Sequence, residues 1–146
     1  MKLFLLLSVL SLSVAMHARA QKVSSAFQLD DYRWKNRLVL IFGSETDSLV
    51  DEQLSLLRRA EDVLAERDVL KFSFTDSSPD IISKETEALY HKFNLSDNNR
   101  ITTILIGKDG SEKLRVKNNV LSVELLLTTI DAMPMRRREM QRQYKP

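Results

Sequence analysis

Apolar residues along this chain follow two different rhythms. Leu38-Val39-Leu40-Ile41-Phe42 is an unbroken apolar run, which predicts a strand buried on both faces near the centre of a sheet. From Ser48 the spacing changes. Leu49, Val50, Leu54, Leu56, Leu57, Ala60, Val63 and Leu64 recur at three- and four-residue steps, with Asp51, Glu52, Arg58, Arg59 and Asp62 between them. That spacing predicts an amphipathic helix, and Asp47 or Ser48 can cap its first N–H groups. Glu66-Arg67-Asp68 ends it, and Val69 to Thr75 reads as a second strand. The cluster Asp76-Ser77-Ser78-Pro79-Asp80 is a turn. A short helix follows from about Lys84 to Phe93, anchored by Leu89 and Phe93.

The run Ile101 to Ile106 meets a Lys108-Asp109-Gly110 corner, and Lys113 to Val116 returns. Asp-Gly supplies the positive φ that a hairpin turn needs. Ser122 can cap a last helix with Val123, Leu126, Leu127, Ile130 and Met133 on one face, and Pro134 stops it. The order is therefore β-α-β-α-β-β-α, an α/β class with a central mixed β-sheet flanked by helices. The two helical connections imply parallel crossovers, and the hairpin adds an antiparallel edge strand.

The two ends of the chain differ from this body. Met1-Lys2, an apolar and serine run from Leu3 to Ala15, and Ala18-Arg19-Ala20 follow the order of a secretory signal peptide. The run is shorter than the roughly 20 residues that span a bilayer. Residues 1–20 are thus expected to be a cleaved signal, 21–28 a flexible lead-in, 29–134 one domain and 135–146 a basic tail. Export to the periplasm or the extracellular space is the compartment expected. Loss of Lys2 and Arg19 from the 22 basic residues leaves 20 against 20 acidic ones. A mature chain near neutrality argues against nucleic acid as a partner and against stable membrane insertion. The charge is uneven: Arg136, Arg137, Arg138, Arg142 and Lys145 face only Glu139 in the tail.

The stretch from Arg100 to Met133 resembles the second half of a thioredoxin. The mature chain as a whole is similar to a thioredoxin-like domain of unknown function found in secreted bacterial proteins and in extracellular sushi-repeat-containing proteins. Trp34-Lys35-Asn36-Arg37, Glu66-Arg67-Asp68, Ile106-Gly107-Lys108-Asp109-Gly110 with Lys113-Leu114-Arg115, and Ile130 to Arg136 carry this resemblance. It implies a thioredoxin-like fold and an exported setting. In redox-active thioredoxins a Cys-x-x-Cys pair precedes the helix after the first core strand, which falls here near Asp47-Ser48-Leu49-Val50. A cis-proline faces that loop, and its equivalent here is Thr102. The chain has no cysteine, so thiol–disulfide exchange is excluded.

Other chemistry has little to build on. His91 is the one histidine beyond the signal segment, and its setting beside Tyr90 and Lys92 reads as exposed surface. No metal site and no cofactor are expected. Glu45, Asp47, Asp51 and Glu52 read as capping and helix-dipole partners, without the loop a Ca²⁺ site requires. Trp34 reads as a lid over one end of the core. Asn94-Leu95-Ser96 matches a glycosylation acceptor, relevant only in a eukaryotic secretory pathway. The candidate binding surface is the crevice of Ser44, Glu45, Thr46, Asp47, Ser48 and Thr102, because ligands bind beyond the carboxyl ends of strands in open α/β sheets. Its partner would be an exported protein or a small ligand. The alternatives are an enzyme using non-thiol chemistry in that crevice, or an assembly protein acting through Arg136, Arg137 and Arg138. Those arginines have three readings: pairing with the acidic body, a solvated terminus, or an arm for an acidic partner.

Overall fold

A computed structural model of the chain describes residues 27–75, 83–96 and 98–143. The expected signal segment, the lead-in before Phe27 and the Asp76–Asp80 turn lie outside the described residues. The apolar run becomes β1 (Arg37–Gly43), followed by β2 (Val69–Thr75), β3 (Ile101–Ile106) and β4 (Glu112–Lys117). They form one four-stranded sheet in the order β2-β1-β3-β4. Burial of Leu38 to Phe42 on both faces follows from this inner position.

Helices cover both faces. On one side lie α1 (Ser48–Arg59), the short α2 (Glu61–Ala65) and α4 (Val123–Asp131). Their Val50, Leu57, Leu64, Leu126 and Ile130 pack on Val39, Ile41, Ile101 and Leu105 of the sheet. On the other side α3 (Ser83–Lys92) presents Leu89, which with Phe93 joins Leu38, Leu40, Phe42, Phe74, Ile104 and Ile106. Strand parity divides these sets, since alternate residues of β1 and β3 face opposite layers. Among the described residues no helix is long and apolar enough to cross a membrane.

Several expectations need correction. β1 and β2 are parallel, but β3 runs antiparallel to β1 and starts beside Gly43, where β2 also finishes. The second connection is therefore not a parallel crossover. After α3 the chain reverses at Asn94 (φ 48°), where the Leu95 N–H donates to the Tyr90 carbonyl at 2.9 Å. This left-handed closure of the helix returns the chain to the end it left. The first helix is broken at Ala60 (φ −99°, ψ 15°), and Leu57 and Leu64 on either side of the break are both buried. Pro134 ends α4 but also opens a further helix, α5 (Pro134–Gln143). Proline suits that first turn, where its missing N–H would have no partner. The ordered domain thus continues beyond residue 134.

Caps and turns follow the sequence closely. The Asp47 side chain accepts from the Leu49 N–H at 2.9 Å, and the Ser122 hydroxyl accepts from the Leu125 N–H at 3.2 Å. In the hairpin, Gly110 has φ 82° and its N–H donates to the Gly107 carbonyl at 2.9 Å. A buried amide joins two distant segments. Gln53 donates to the Leu121 carbonyl at 3.1 Å and accepts from the Leu121 N–H at 2.7 Å. It serves the β4–α4 loop as a strand neighbour would, satisfying both backbone groups.

Candidate functional site

Two polar constructions stand at opposite ends of the sheet. At the carboxyl end of β1, Gly43 lets three elements converge. A Cβ there would lie 2.7 Å from Val50 Cγ2 and 2.8 Å from the Arg100 carbonyl oxygen. Only glycine permits the start of α1 and the entry to β3 to close on the strand this tightly. Just outside this junction, Arg100 Nε and Nη2 each donate to Asp47 at 2.9 Å, a bidentate pair. The Arg100 guanidinium, with the Leu49 N–H, holds the Asp47 carboxyl below its usual range. The same carboxylate raises the Arg100 pKa. Asp47 therefore caps the helix and anchors the loop before β3.

Beside this pair opens a cleft of about 430 Å³ lined by Gly43, Ser44, Asp47, Tyr90, Ser96, Asn98, Asn99 and Arg100. Hydroxyl and amide groups dominate it. The Ser44 and Thr46 hydroxyls share a hydrogen bond at 3.1 Å, and Asn99 accepts from the Asn118 amide at 3.2 Å. Of the residues expected to form a crevice here, Ser44 and Asp47 line the cleft, while Glu45, Thr46 and Ser48 are exposed and do not line it. Thr102 is different. It is 2% exposed and sits inside the sheet opposite Phe42 and Lys117. As the second residue of β3 it takes Phe42's face, so Arg100, two residues earlier, reaches the cleft instead. Arg100 went unrecognised in the sequence. Its only signal there is a cation immediately before a buried apolar strand.

The opposite end holds a network of four cations and four carboxylates. Arg37 and Lys108 both donate to Glu139, at 3.1 and 2.8 Å, and Lys108 also reaches Asp68 at 2.7 Å. Arg136 joins Glu66 at 2.7 Å and Asp131 at 3.2 Å, and Arg67 holds Asp131 at 2.9 Å. Arg136 keeps the Glu66 carboxyl below its usual range, and Arg67, seconded by Arg136, does so for Asp131. The four segments that carried the family resemblance converge here. As a free arm for a partner, Arg136 is ruled out: it is 2% exposed and already paired with the domain's carboxylates. Arg137 and Arg138 are exposed on the outer face of α5. Trp34 is also corrected, being 62% exposed rather than a lid. It adopts φ 66° with its N–H donating to the Lys108 carbonyl at 2.6 Å, and Phe27 and Tyr32 cover the core rim instead. His91 is exposed beside Glu87, and among the described residues no group of acidic, histidine or cysteine side chains is arranged to hold a metal.

The fold and the absent cysteines define a thioredoxin-like α/β domain without a thiol centre. Residues 28–139 match the domain of unknown function DUF4174, and the chain belongs to that family. No curated protein sequence matches it. Among solved structures it is similar to the reduced 2-Cys peroxiredoxin of Plasmodium vivax, at 21% identity over 77% of this chain and 84% of that one, TM-score 0.59. It is also similar to thioredoxin peroxidase I of Plasmodium yoelii, at 20% identity over 80% of each chain, TM-score 0.57. At these identities the likeness is one of fold.

Proposed function

We propose that this protein is an exported, non-redox binding module whose working surface is the cleft at the carboxyl end of β1. The observation that carries this reading is the Asp47–Arg100 pair flanking a hydroxyl- and amide-lined cleft where the chain enters both α1 and β3. Because the cation and the carboxylate neutralise each other, the remaining lining favours a small polar ligand, or a polar side chain of an exported protein, held by hydrogen bonds. Binding suits the site better than catalysis. The Ser44 hydroxyl shares its hydrogen bond with Thr46 rather than with a base, and an unactivated hydroxyl is a weak nucleophile. Export rests on the Met1-Lys2, Leu3–Ala15 and Ala18-Arg19-Ala20 pattern.

The test is to incubate the exported protein with a small-molecule extract of its compartment and weigh the complex by native mass spectrometry. A retained small molecule that is lost from Ser44→Trp, which fills the cleft, supports the proposal. Retention by Ser44→Trp, or no retained mass in the wild type, contradicts it.

A further inference from the structure

At the end of the sheet away from the cleft, the inner charges are matched and the outer ones are not. Each cation of the network there has a carboxylate within it. Outside it, Arg137, Arg138 and Arg142 are exposed on α5, and Arg33 and Lys35 are exposed just before β1. Among the described residues none of these cations pairs with a carboxylate. Arg33 donates to the Asp109 carbonyl at 3.1 Å and Lys35 to the Asp31 carbonyl at 3.0 Å, both backbone groups that leave the charge unbalanced. Asp30 and Asp31 are the exposed acids of the same segment, and the cations outnumber them.

Trp34 stands at this same end. Its N–H bonds the carbonyl of Lys108, whose ammonium meets Glu139 of α5. The indole is 62% exposed, yet its backbone is held at φ 66°, a conformation rare for a bulky residue. The bonds from Trp34 to Lys108 and from Arg33 to Asp109 fasten this turn to the β3–β4 hairpin. The Arg33 guanidinium lies over the ring, 5.4 Å from its centroid. Ring and cation are thus presented to solvent as one fixed unit, with no burial in the core to explain it.

An indole held out beside unpaired cations matches the layering of a membrane interface. The ring settles at headgroup level, while arginine and lysine lay their apolar stems along it and reach the phosphates. A soluble polyanion would use the cations and leave the indole without a role. We propose that this end of the domain docks on an anionic membrane surface, with Trp34 entering the headgroup layer and Arg33, Lys35, Arg137, Arg138 and Arg142 meeting lipid phosphates. The contact is peripheral, made by side chains at one end of the sheet and not by a spanning segment. It lies apart from the polar cleft and does not depend on it.

The probes are vesicles of phosphatidylcholine alone and of phosphatidylcholine with phosphatidylglycerol in equal parts, titrated into the exported protein. Trp34 is the only tryptophan, so its emission reports on this site. The expected result is co-sedimentation with the anionic vesicles, a blue shift of the emission, and weakening of both as salt is raised. The double variant Arg137→Ser/Arg138→Ser should bind at least tenfold more weakly, on the basis of about fivefold for each cation removed, with a melting temperature close to wild type. Equal or absent binding to the two vesicle types overturns the proposal, as does undiminished binding by the double variant. Binding without an emission shift overturns it too. So does soluble polyphosphate held as tightly as the anionic vesicles, which would make the site one for phosphate groups in solution.

Discussion

Glu139 is the lone acid of a basic segment, and the structure makes it the residue on which α5 depends. Arg37 is fully buried, and its guanidinium donates to Glu139 at 3.1 Å while Lys108 approaches the same carboxylate at 2.8 Å. Glu139→Ala leaves the buried Arg37 charge with only the Arg67 carbonyl, 2.7 Å from Nη1. A unit pair at this separation is worth on the order of 5 kcal/mol at an effective dielectric near 20, before desolvation is counted. Removing one partner of a buried pair costs about 3–5 kcal/mol in practice. Glu139 is 23% exposed and Lys108 keeps Asp68. The lower end applies, about 3 kcal/mol, or a fall in melting temperature of roughly 10 °C. Urea unfolding of Glu139→Ala at pH 7 measures it directly. The double variant Arg37→Met/Glu139→Leu should regain most of the loss, because it removes the stranded charge as well as its partner. A loss under about 0.5 kcal/mol, the scale of an exposed surface pair, would refute the view of this network as a structural clasp.

Other outcomes follow from the same geometry. Arg136→Ser should lower the urea midpoint clearly, whereas Arg137→Ser and Arg138→Ser should each leave it within about 0.5 kcal/mol, since only Arg136 is buried and paired. Asp131 and Glu66 have folded pKa values below their unfolded ones, so their stabilisation is complete above the ordinary carboxylate range and is lost as pH falls through the folded values. Urea midpoints should therefore hold from pH 7 to about pH 5 and decline below it, with a shallower decline in Arg136→Met. Gly43→Ala should cost about 1–3 kcal/mol in thermal unfolding, because its Cβ would sit 2.7 Å from Val50 Cγ2 and 2.8 Å from a backbone oxygen.

Local patterns in the chain carried the elements, and long-range pairings did not. The period of Val50, Leu57 and Leu64, the Asp47 and Ser122 caps and the Asp109-Gly110 corner are signals within a few residues, and each appears in the structure where its pattern falls. The direction of β3 was hidden, because it depends on whether the chain doubles back after α3, and that turn rests on Asn94 in a left-handed conformation. The pairing of Arg37 with Glu139 joins residues 102 positions apart, which no periodicity reports. The same holds for Asp47 and Arg100, 53 apart. Thr102 lies within β3 and is buried, whereas Arg100, two residues earlier and on the same side but before the strand begins, is the residue that reaches the cleft. Arg136, Arg137 and Arg138 look alike in sequence, yet helix geometry buries the first and exposes the next two.

The central claim is that the cleft beside Asp47 and Arg100 holds the ligand. The measurement that tests it most directly is an amide-spectrum titration of the wild-type protein and of Arg100→Ala with the small molecule retained from the extract. The account predicts shifts confined to Gly43–Ser48 and Ser96–Ile101 in the wild type, at least tenfold weaker binding in Arg100→Ala, and similar folded spectra for both. Shifts centred elsewhere, or binding undiminished in Arg100→Ala, would contradict it.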